Sequence, residues 1–259
     1  MILQAYPRIT FGYKTFKYEH NYQKTLFDSI FVLNSDLFDE LHLEKSDQLI
    51  VKYFDHDNQL LTVQNDLISK AALYLGMYHS INVKLKITVK KNVPQGSGLA
   101  SMAACAAALI KYYADKFKLP INFRHVATVL DSNIPFFLTG FKVARVQNFG
   151  DQVSGFTNIK LPEMKLHLTN IKLDANKVHE VHKVQKRFLA NNYISKLIQA
   201  VVNDQPYEVY NEYQNTIFKI APNLFLEKAK LQTQFNSIFL SGLGSTLIEI
   251  KNPHFVDSK

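Results

Sequence analysis

Residues 94–109 read Pro-Gln-Gly-Ser-Gly-Leu-Ala-Ser-Met-Ala-Ala-Cys-Ala-Ala-Ala-Leu, and this stretch sets the expectation for the whole fold. Its glycines, Gly96 and Gly98, lead from a strand pattern over residues 83–89 into an alanine-rich helix. A helix N-terminus that follows a glycine turn can bind an anion through its backbone N–H groups. Because alanine and methionine dominate the first helical turn, few hydroxyls are available for a phosphate. The stretch therefore predicts the scaffold of a phosphate site without most of its polar groups.

The composition is typical of a folded protein from a reducing compartment. With 259 residues, the chain can form one large domain or two modest ones with a buried core. Its single cysteine, Cys105, excludes an intramolecular disulfide and a multi-cysteine zinc site, so we expect a cytoplasmic protein. The opening residues do not resemble a signal peptide, and no apolar run approaches the ~18 residues of a membrane span. The net charge of +8 is spread along the chain, so nucleic acid is not an expected partner.

The first half of the chain shows clear periodicity. Apolar residues alternate with polar ones, mostly lysines, over residues 83–90, which predicts a half-buried strand with a basic outer face. Helices are predicted over residues 99–117 and 123–131, and Asn133-Ile134-Pro135 fits the cap and start of another. The basic residues indicate either an edge strand protected from aggregation or an anion-binding face. They are Lys84, Lys86, Lys90 and Lys91.

A second unit is predicted after Gly155, with a boundary near residue 158 and domains at residues 1–158 and 159–259. Mixed strands and helices in both units argue for an α+β architecture rather than a doubly wound sheet. A second glycine turn, residues 241–245, lies between the last two strands. The predicted strands of this unit cover residues 165–169, 235–240 and 246–250, and its predicted helices cover residues 176–190, 193–203, 206–217 and 222–234.

Collinear segments resemble the GHMP kinase superfamily, and within it the 4-diphosphocytidyl-2-C-methyl-D-erythritol kinase family. Residues 5–12 resemble the family's opening strand, Ala-Pro-Ala-Lys-Ile-Asn-Leu, and residues 64–72 resemble Asn-Leu-X-X-Lys-Ala-Ala. Residues 91–99 resemble Lys-Asn-Ile-Pro followed by Gly-Leu, and residues 133–137 resemble Asp-Val-Pro-Phe-Phe. Residues 241–246 are similar to the family's third motif, Ser-Gly-Ser-Gly-Ser-Thr. These segments occur in the family's order and cover most of the chain.

The resemblance implies a two-domain GHMP-kinase-like fold, with an N-terminal domain like ribosomal protein S5 domain 2 and a ferredoxin-like C-terminal domain. It also implies ATP-dependent phosphoryl transfer in isoprenoid precursor synthesis, with ATP and magnesium as cofactors of an active member. The implied nucleotide-binding residues are Pro94, Gly96, Ser97, Gly98, Leu99, Ala100, Ser101, Met102, Ala103 and Ala104. The implied substrate-binding residues are Thr10, Tyr22, Thr25, Gly242, Gly244 and Ser245.

The two positions that carry the chemistry in the family are substituted. The family's catalytic Asp and Lys correspond to Asn133 and Arg8. Asparagine cannot act as a general base, and losing a general base typically costs ~10²–10⁴-fold in rate. Arginine keeps the charge, but its planar guanidinium does not replace an ammonium group. We interpret Asn133 as a helix N-cap; Asp131 is a candidate substitute base, although the two-residue offset predicts a different face.

The loop has also lost serines that the family uses. Each lost hydrogen bond to a charged phosphate is worth ~1.5–3 kcal/mol, although Ser97 and Ser101 remain as donors. Cys105 stands where the family has Asp and is expected to pack as a small residue. His179 and His182 lie on a predicted helix and indicate a solvated face more than a metal site, so no protein-bound metal cluster is expected.

The sequence thus predicts a kinase-like binding protein, a pseudoenzyme whose phosphoryl transfer is weakened or lost. Its expected partners are a nucleotide, a small-molecule phosphate acceptor or another protein, and no membrane. One alternative is an active small-molecule GHMP kinase that uses Ser97 and Ser101 on phosphate and Asp131 or Asp151 as its carboxylate. Another alternative is a basic RNA-associated protein, which rests on the charge of +8 and on a fold shared with ribosomal domains.

Overall fold

The computed structural model describes residues 1–16, 26–63, 65–185 and 192–251. The strands are β1 (Ile2–Ala5), β2 (Arg8–Phe16), β3 (Leu26–Leu33), β4 (Asp39–Lys45), β5 (Ile50–Phe54), β6 (Leu60–Leu61), β7 (Leu85–Lys90), β8 (Val143–Asn148), β9 (Gln152–Gly155), β10 (Met164–His167), β11 (Asn236–Leu240) and β12 (Leu247–Lys251). The helices are α1 (Leu67–His79), α2 (Ser101–Phe117), α3 (Phe123–Val129), α4 (Ile134–Thr139), α5 (Ala175–Gln185), α6 (Tyr193–Val202), α7 (Gln214–Ile220) and α8 (Pro222–Leu231).

The described strands form three sheets. One has the order β1-β4-β7-β5-β6, the second β2-β3-β8-β9, and the third β10-β12-β11. The first sheet is mixed, because β5 pairs with β7 in parallel while β4 pairs with β7 antiparallel. This architecture confirms the predicted α+β class. The proposed boundary near residue 158 falls between β9 and β10 and stays a prediction.

Helices α1 and α2 pack together, and their core includes residues of the first sheet. The Asp66 side chain caps α1 by accepting hydrogen bonds from the backbone N–H groups of Ile68 and Ser69, both at 3.0 Å. The small side chains of residues 103–107 in α2 are all buried. Because they are small, neighbouring backbone can approach α2 closely, as the alanine-rich sequence predicted.

The prediction of a lysine-rich edge strand is wrong. Strand β7 lies in the middle of its sheet, between β4 and β5. One of its lysines is paired with the neighbouring strand β4, because the Nζ of Lys86 lies 2.8 Å from a carboxylate oxygen of Glu44. The alternative, an anion-binding face, loses Lys91 as well, since this side chain is buried and paired with Asp39.

The helix predicted over residues 206–217 begins only at Gln214. The preceding segment is held in an extended form against β2 instead. Tyr13 N–H donates to Tyr210 O at 3.1 Å, and Glu212 N–H donates to Tyr13 O at 3.0 Å. The amide of Asn211 donates to the carbonyls of Leu240 and Gly242. These long-range bonds outweigh the local helical periodicity of the sequence.

Two further expectations need correction in the C-terminal half. The strand predicted over residues 165–169 covers Met164–His167 instead. The helix predicted over residues 176–190 is confirmed as far as Gln185, and residues 186–190 lie outside the described residues. The interpretation of His179 and His182 as a solvated face fails for His182, which is buried with its ring 4.1 Å from that of Tyr213.

Among the described residues, no group of three potential metal ligands occurs. No helix in the described part of the chain is long and apolar enough to cross a membrane.

Candidate functional site

The two glycine turns, residues 94–100 and 241–245, lie directly against each other. Ser245 N–H donates to Gly96 O at 3.2 Å, and Thr246 N–H donates to Ser97 O at 3.1 Å. The hydroxyl of Ser241 accepts a hydrogen bond from Thr10 N–H at 3.0 Å, which ties the second turn to β2. The structure therefore brings together two turns that lie about 140 residues apart in sequence. Their glycines allow the two backbones to approach closely enough for these hydrogen bonds.

The glycines of residues 94–100, here called the glycine loop, are covered by backbone. A Cβ added to Gly98 would lie 2.1 Å from Ser241 O, and Gly98 has a φ of +80°. A Cβ on Gly96 would lie 2.7 Å from Leu173 N. In a phosphate-binding loop, glycines let the backbone approach the ligand. Here the same freedom is used for close approach to the chain itself.

The N-terminus of α2 carries an internal ion pair. Lys91 and Asp39 are both buried and form a salt bridge. Lys91 Nζ also donates to Ser101 Oγ at 2.5 Å. The other carboxylate oxygen of Asp39 accepts from the N–H groups of Asn92 and Val93 at 2.8 and 2.9 Å. Ser101, expected to face a phosphate, is thus already bonded to a cation of the chain.

The Arg8 side chain is buried and connects several parts of the site through hydrogen bonds. It is 5% exposed, and its guanidinium lies over the Phe31 ring at 4.2 Å from the centroid. Its Nε and Nη2 both donate to Asn133 Oδ1, at 3.1 and 2.7 Å. Its Nη1 donates to Thr10 Oγ1 and, at 3.1 Å, to Gly98 O. Burial lowers the pKa of Arg8 to about 10, so the group remains charged at neutral pH.

Asn133 precedes α4 as predicted, but its side chain does not cap the helix. Its Oδ1 accepts from Arg8, and its Nδ2 donates to Asp131 Oδ1 at 2.7 Å. Asp131 Oδ1 also accepts from Asn133 N–H at 2.8 Å. Asn133 is therefore the N-cap residue of α4, as predicted, but its side-chain oxygen accepts from a charged donor instead of from the helix backbone. Asp131 is linked to Arg8 through this one amide, which the two-residue offset did not suggest.

We expect Arg8→Lys to destabilise the protein by about 2 kcal/mol, since hydrogen bonds to charged groups are each worth roughly 1.5–3 kcal/mol. An ammonium group cannot bridge Asn133, Thr10 and Gly98 with the same planar fork. Urea unfolding followed by far-ultraviolet circular dichroism measures the change. Lys52→Arg on β5, whose side chain is exposed, is the control. An unchanged midpoint for Arg8→Lys would contradict the role of Arg8 as a structural hub.

Cys105 is fully buried in α2, as its small-residue packing role predicts. The sequence did not reveal its polar neighbour, for the thiol lies 3.7 Å from a carboxylate oxygen of Asp39. Burial raises the pKa of Cys105 to about 12. The thiol should therefore stay protonated at neutral pH and react slowly with electrophiles.

We expect iodoacetamide to label Cys105 more than about a hundredfold more slowly in the folded protein at pH 8 than in urea, because only the thiolate reacts. Mass spectrometry over time gives both rates. Since the chain has one cysteine, the label reports this position alone. Equal rates in both states would contradict the burial and the raised pKa.

The remaining predicted residues are placed as follows. Thr10 contacts Arg8, and Gly242, Gly244 and Ser245 belong to the turn that covers the glycine loop. Tyr22 and Thr25 lie outside the described residues. Asp151, the other candidate carboxylate, accepts from Phe149 N–H and faces Arg124. In the glycine loop and the start of α2, Ser97, Leu99, Ser101, Ala103 and Ala104 are buried, while Pro94, Gly96, Gly98, Ala100 and Met102 are half-buried.

Sequence reasoning missed the two residues that bond most closely to the start of the glycine loop and α2. Lys91 was read as part of a basic face, and Asp39 carried no recognisable pattern. The resemblance of residues 91–94 to Lys-Asn-Ile-Pro was the one signal that pointed to Lys91. Nothing local could have paired it with Asp39, because the two strands meet only in the folded sheet.

The residues present do not fit magnesium and ATP in this arrangement. A phosphate site needs accessible donors and a metal ligand. Backbone of residues 172–173 and 241–244 covers Gly96 and Gly98, and Ser101 is buried, with its Oγ accepting from Lys91 Nζ. Met102 packs against the core formed by α1, α2 and the first sheet. No step of phosphoryl transfer can be assigned to this geometry.

Comparisons with known proteins agree with this fold. A family model described as the GHMP kinases N terminal domain matches residues 66–140. The chain also resembles the crystal structure of a 4-(cytidine 5'-diphospho)-2C-methyl-D-erythritol kinase, with a TM-score of 0.73 and 18% identity over 96% of this chain and 90% of the other. Residues 66–140 therefore match the N-terminal domain of GHMP kinases, and the chain has a GHMP kinase fold, as the resemblance of its motifs predicted.

Two curated relatives of the chain share one name. A protein of Ureaplasma parvum serovar 3, named 4-diphosphocytidyl-2-C-methyl-D-erythritol kinase, is 27% identical over 254 residues, covering 97% of this chain and 96% of the relative. A protein of the same name from Clostridium botulinum strain Langeland is 27% identical over 217 residues, covering 82% of this chain and 75% of the relative. The likeness thus extends along nearly the whole chain.

Proposed function

We propose that this chain is a member of the 4-diphosphocytidyl-2-C-methyl-D-erythritol kinase family whose ATP-dependent phosphoryl transfer is lost or severely weakened. It acts as a kinase-like binding protein, which we place in the cytoplasm because of its single cysteine. The observation that carries the proposal is the bond between the two substituted positions, Arg8 and Asn133.

The electrostatics of the pair support this proposal. A general base must accept a proton in the transition state, whereas the Asn133 amide cannot accept one at neutral pH. The Arg8 donors are turned toward Asn133, Thr10 and Gly98, which are groups of the protein. A cation that stabilises developing charge must instead face the reacting group.

The glycine loop supports it independently. In phosphoryl transfer most of the catalysis comes from positioning and charge stabilisation, so loss of donors affects the rate directly. Ser101 is buried and accepts from Lys91, and the second glycine turn lies against Gly98. Opening the loop for a nucleotide requires the separation of backbone hydrogen bonds at residues 96 and 97.

The competing proposal is an active kinase that uses Asp131. One specific observation favours it: Asp131 is joined to Arg8 through a single amide, with an Asp131–Asn133 bond of 2.7 Å. Its Oδ1 nevertheless accepts two hydrogen bonds from Asn133. A carboxylate that serves as a base has to be available to the substrate hydroxyl.

Enzyme assays on the native chain and two variants separate the two proposals. We expect no ADP release above background from the native chain, from Asp131→Asn or from Asn133→Asp, when each is given magnesium, ATP and 4-diphosphocytidyl-2-C-methyl-D-erythritol. Asn133→Asp replaces one group only, and the loop remains blocked. Turnover by the native chain that disappears in Asp131→Asn would establish the competing proposal. The kinase of Ureaplasma parvum is the positive control for the assay.

A further inference from the structure

The third sheet has one covered edge and one open edge. At the β11 edge, the Gln232 side chain accepts from Ile238 N–H at 3.2 Å and donates to Asn236 O at 2.6 Å. At the other edge, β10 pairs with β12 from Met164↔Ile250 to His167↔Leu247 and with no other strand of the described chain. An open strand edge presents backbone donors and acceptors at the spacing that another extended chain can pair with.

Two cavities lie along this open edge and share Leu168. The first, about 370 Å³, is bounded by residues 163–166 and by Asn34, Asp36 and Leu37 of the loop between β3 and β4. The second, about 500 Å³, lies between residues 168–171 and α8. We call the two together the β10 groove. At ~3.3 Å per residue, the four residues of β10 offer an edge of about 13 Å for an extended segment, and the two cavities continue on either side of it.

The side chains of the β10 groove are suited to a peptide. Leu168 is 44% exposed, and Leu226 of α8 is 56% exposed beside it. Exposed apolar side chains next to free backbone groups are the combination that recognises an extended segment through alternate residues. A nucleotide or a sugar would leave the strand edge unpaired.

The charged side chains of the groove indicate which charge its occupant carries. Asp36 and Glu163 are exposed at the β3–β4 loop end of the groove, and neither has an ion-pair partner among the described residues. At the α8 end, Glu227 is paired with Lys230 at 2.8 Å. Lys165 lines the same cavity as Asp36 and Glu163, but its Nζ lies 4.0 Å from a carboxylate oxygen of Glu249. The two carboxylates without an ion-pair partner therefore favour a basic group in the partner.

We infer that the β10 groove binds an extended segment of a partner protein by strand addition to β10. The segment has alternating apolar side chains and one or more lysines or arginines near Asp36 and Glu163. Backbone pairing supplies the affinity, and the acidic end of the groove sets the direction of the segment. This site uses neither Arg8 nor the glycine loop, so it does not depend on the loss of kinase activity.

Two synthetic dye-labelled peptides of opposite polarity test this inference. One has the sequence Lys-Lys-Val-Ser-Val-Ser-Val-Ser-Val, and the other carries its two lysines at the C-terminal end. Fluorescence anisotropy measures their affinity for the whole chain, and hydrogen exchange with mass spectrometry locates the site. We expect one peptide to bind and to slow exchange within residues 163–171.

The variant Asp36→Lys with Glu163→Lys should weaken that binding about tenfold, because two attractive contacts become repulsive. Asp47→Lys with Asp57→Lys, two exposed carboxylates elsewhere, is the matched control and should leave the affinity unchanged. The absence of peptide binding at millimolar concentration would overturn the inference. Equal weakening by both double variants would also overturn it, since only the net charge would then matter.

Experiments with the same peptides and the same double variant also test two other occupants of the β10 groove. If a chain ending at Lys251 binds the peptide more than tenfold more tightly than the full chain, its own last residues are the occupant. If sedimentation shows a dimer that Asp36→Lys with Glu163→Lys abolishes, a second copy is the occupant. Either result would contradict the assignment to a partner protein.

Discussion

Asp39→Ala is expected to lower the free energy of unfolding by about 3–5 kcal/mol, because it leaves Lys91 as an unpaired buried cation. Asp39 is fully buried, and its carboxylate also accepts the N–H groups of Asn92 and Val93. Loss of the side chain therefore removes an ion pair and two hydrogen bonds at the start of the glycine loop. Urea unfolding of the native chain and of the variant measures the difference.

The same strand supplies a control. Glu44 also belongs to β4 and also pairs with a lysine of β7, but its side chain is 60% exposed. Glu44→Ala should leave the unfolding midpoint nearly unchanged, since exposed pairs are solvated and screened. Asp39→Asn keeps both backbone hydrogen bonds and should fall between the native chain and Asp39→Ala. Equal midpoints for Asp39→Ala and Glu44→Ala would contradict the buried pair.

The second large effect is expected at Gly98, where Gly98→Ala should cost about 2–5 kcal/mol. A left-handed backbone costs an alanine roughly 1–2 kcal/mol, and a clash in a packed region adds roughly 1–3 kcal/mol. The clash arises because the new Cβ would lie 2.1 Å from Ser241 O. Since that atom belongs to the backbone, the two turns must separate to relieve the contact.

Gly140 is a control that separates the cost of the left-handed backbone from the cost of the steric clash at Gly98. Its φ of +75° resembles the +80° of Gly98, but a Cβ there would have nothing within 4 Å. Gly140→Ala should therefore cost only the backbone contribution of roughly 1–2 kcal/mol. Chemical denaturation of both variants gives the comparison. If they lose the same stability, the glycine turns do not pack as tightly as described.

The motifs around residues 91–99 and 241–246 were sufficient to predict the GHMP kinase fold, and the mixed order of strands and helices predicted the α+β class. Local patterns carry such information because each strand and helix has its own periodicity and caps, as Asp66 at α1 illustrates. The extended segment at residues 210–212 could not be predicted in the same way. Its bonds to Tyr13 and Leu240 depend on distant parts of the chain, and the local pattern there favours a helix.

The sequence predicted which residues form the candidate site, but not the hydrogen bonds between them. Arg8 and Asn133 were identified as the substituted family positions, but their mutual hydrogen bonds emerged only from the fold. Without that geometry, Asn133 looked like a cap and Asp131 seemed to face elsewhere. Two side chains that are more than a hundred residues apart leave no periodic pattern in the sequence. The sequence therefore predicts which residues belong to the site, but not the hydrogen bonds between them.

The most direct test of the central claim is phosphorus NMR of the concentrated native chain with magnesium, ATP and 4-diphosphocytidyl-2-C-methyl-D-erythritol. A sample without protein and one with the Ureaplasma parvum kinase, followed over the same hours, are the controls. Under the proposed function Asn133 replaces the family's general base, and the Arg8 donors are engaged within the protein, so we predict a spectrum that matches the protein-free sample. A new phosphomonoester signal that grows together with ADP would contradict the loss of phosphoryl transfer.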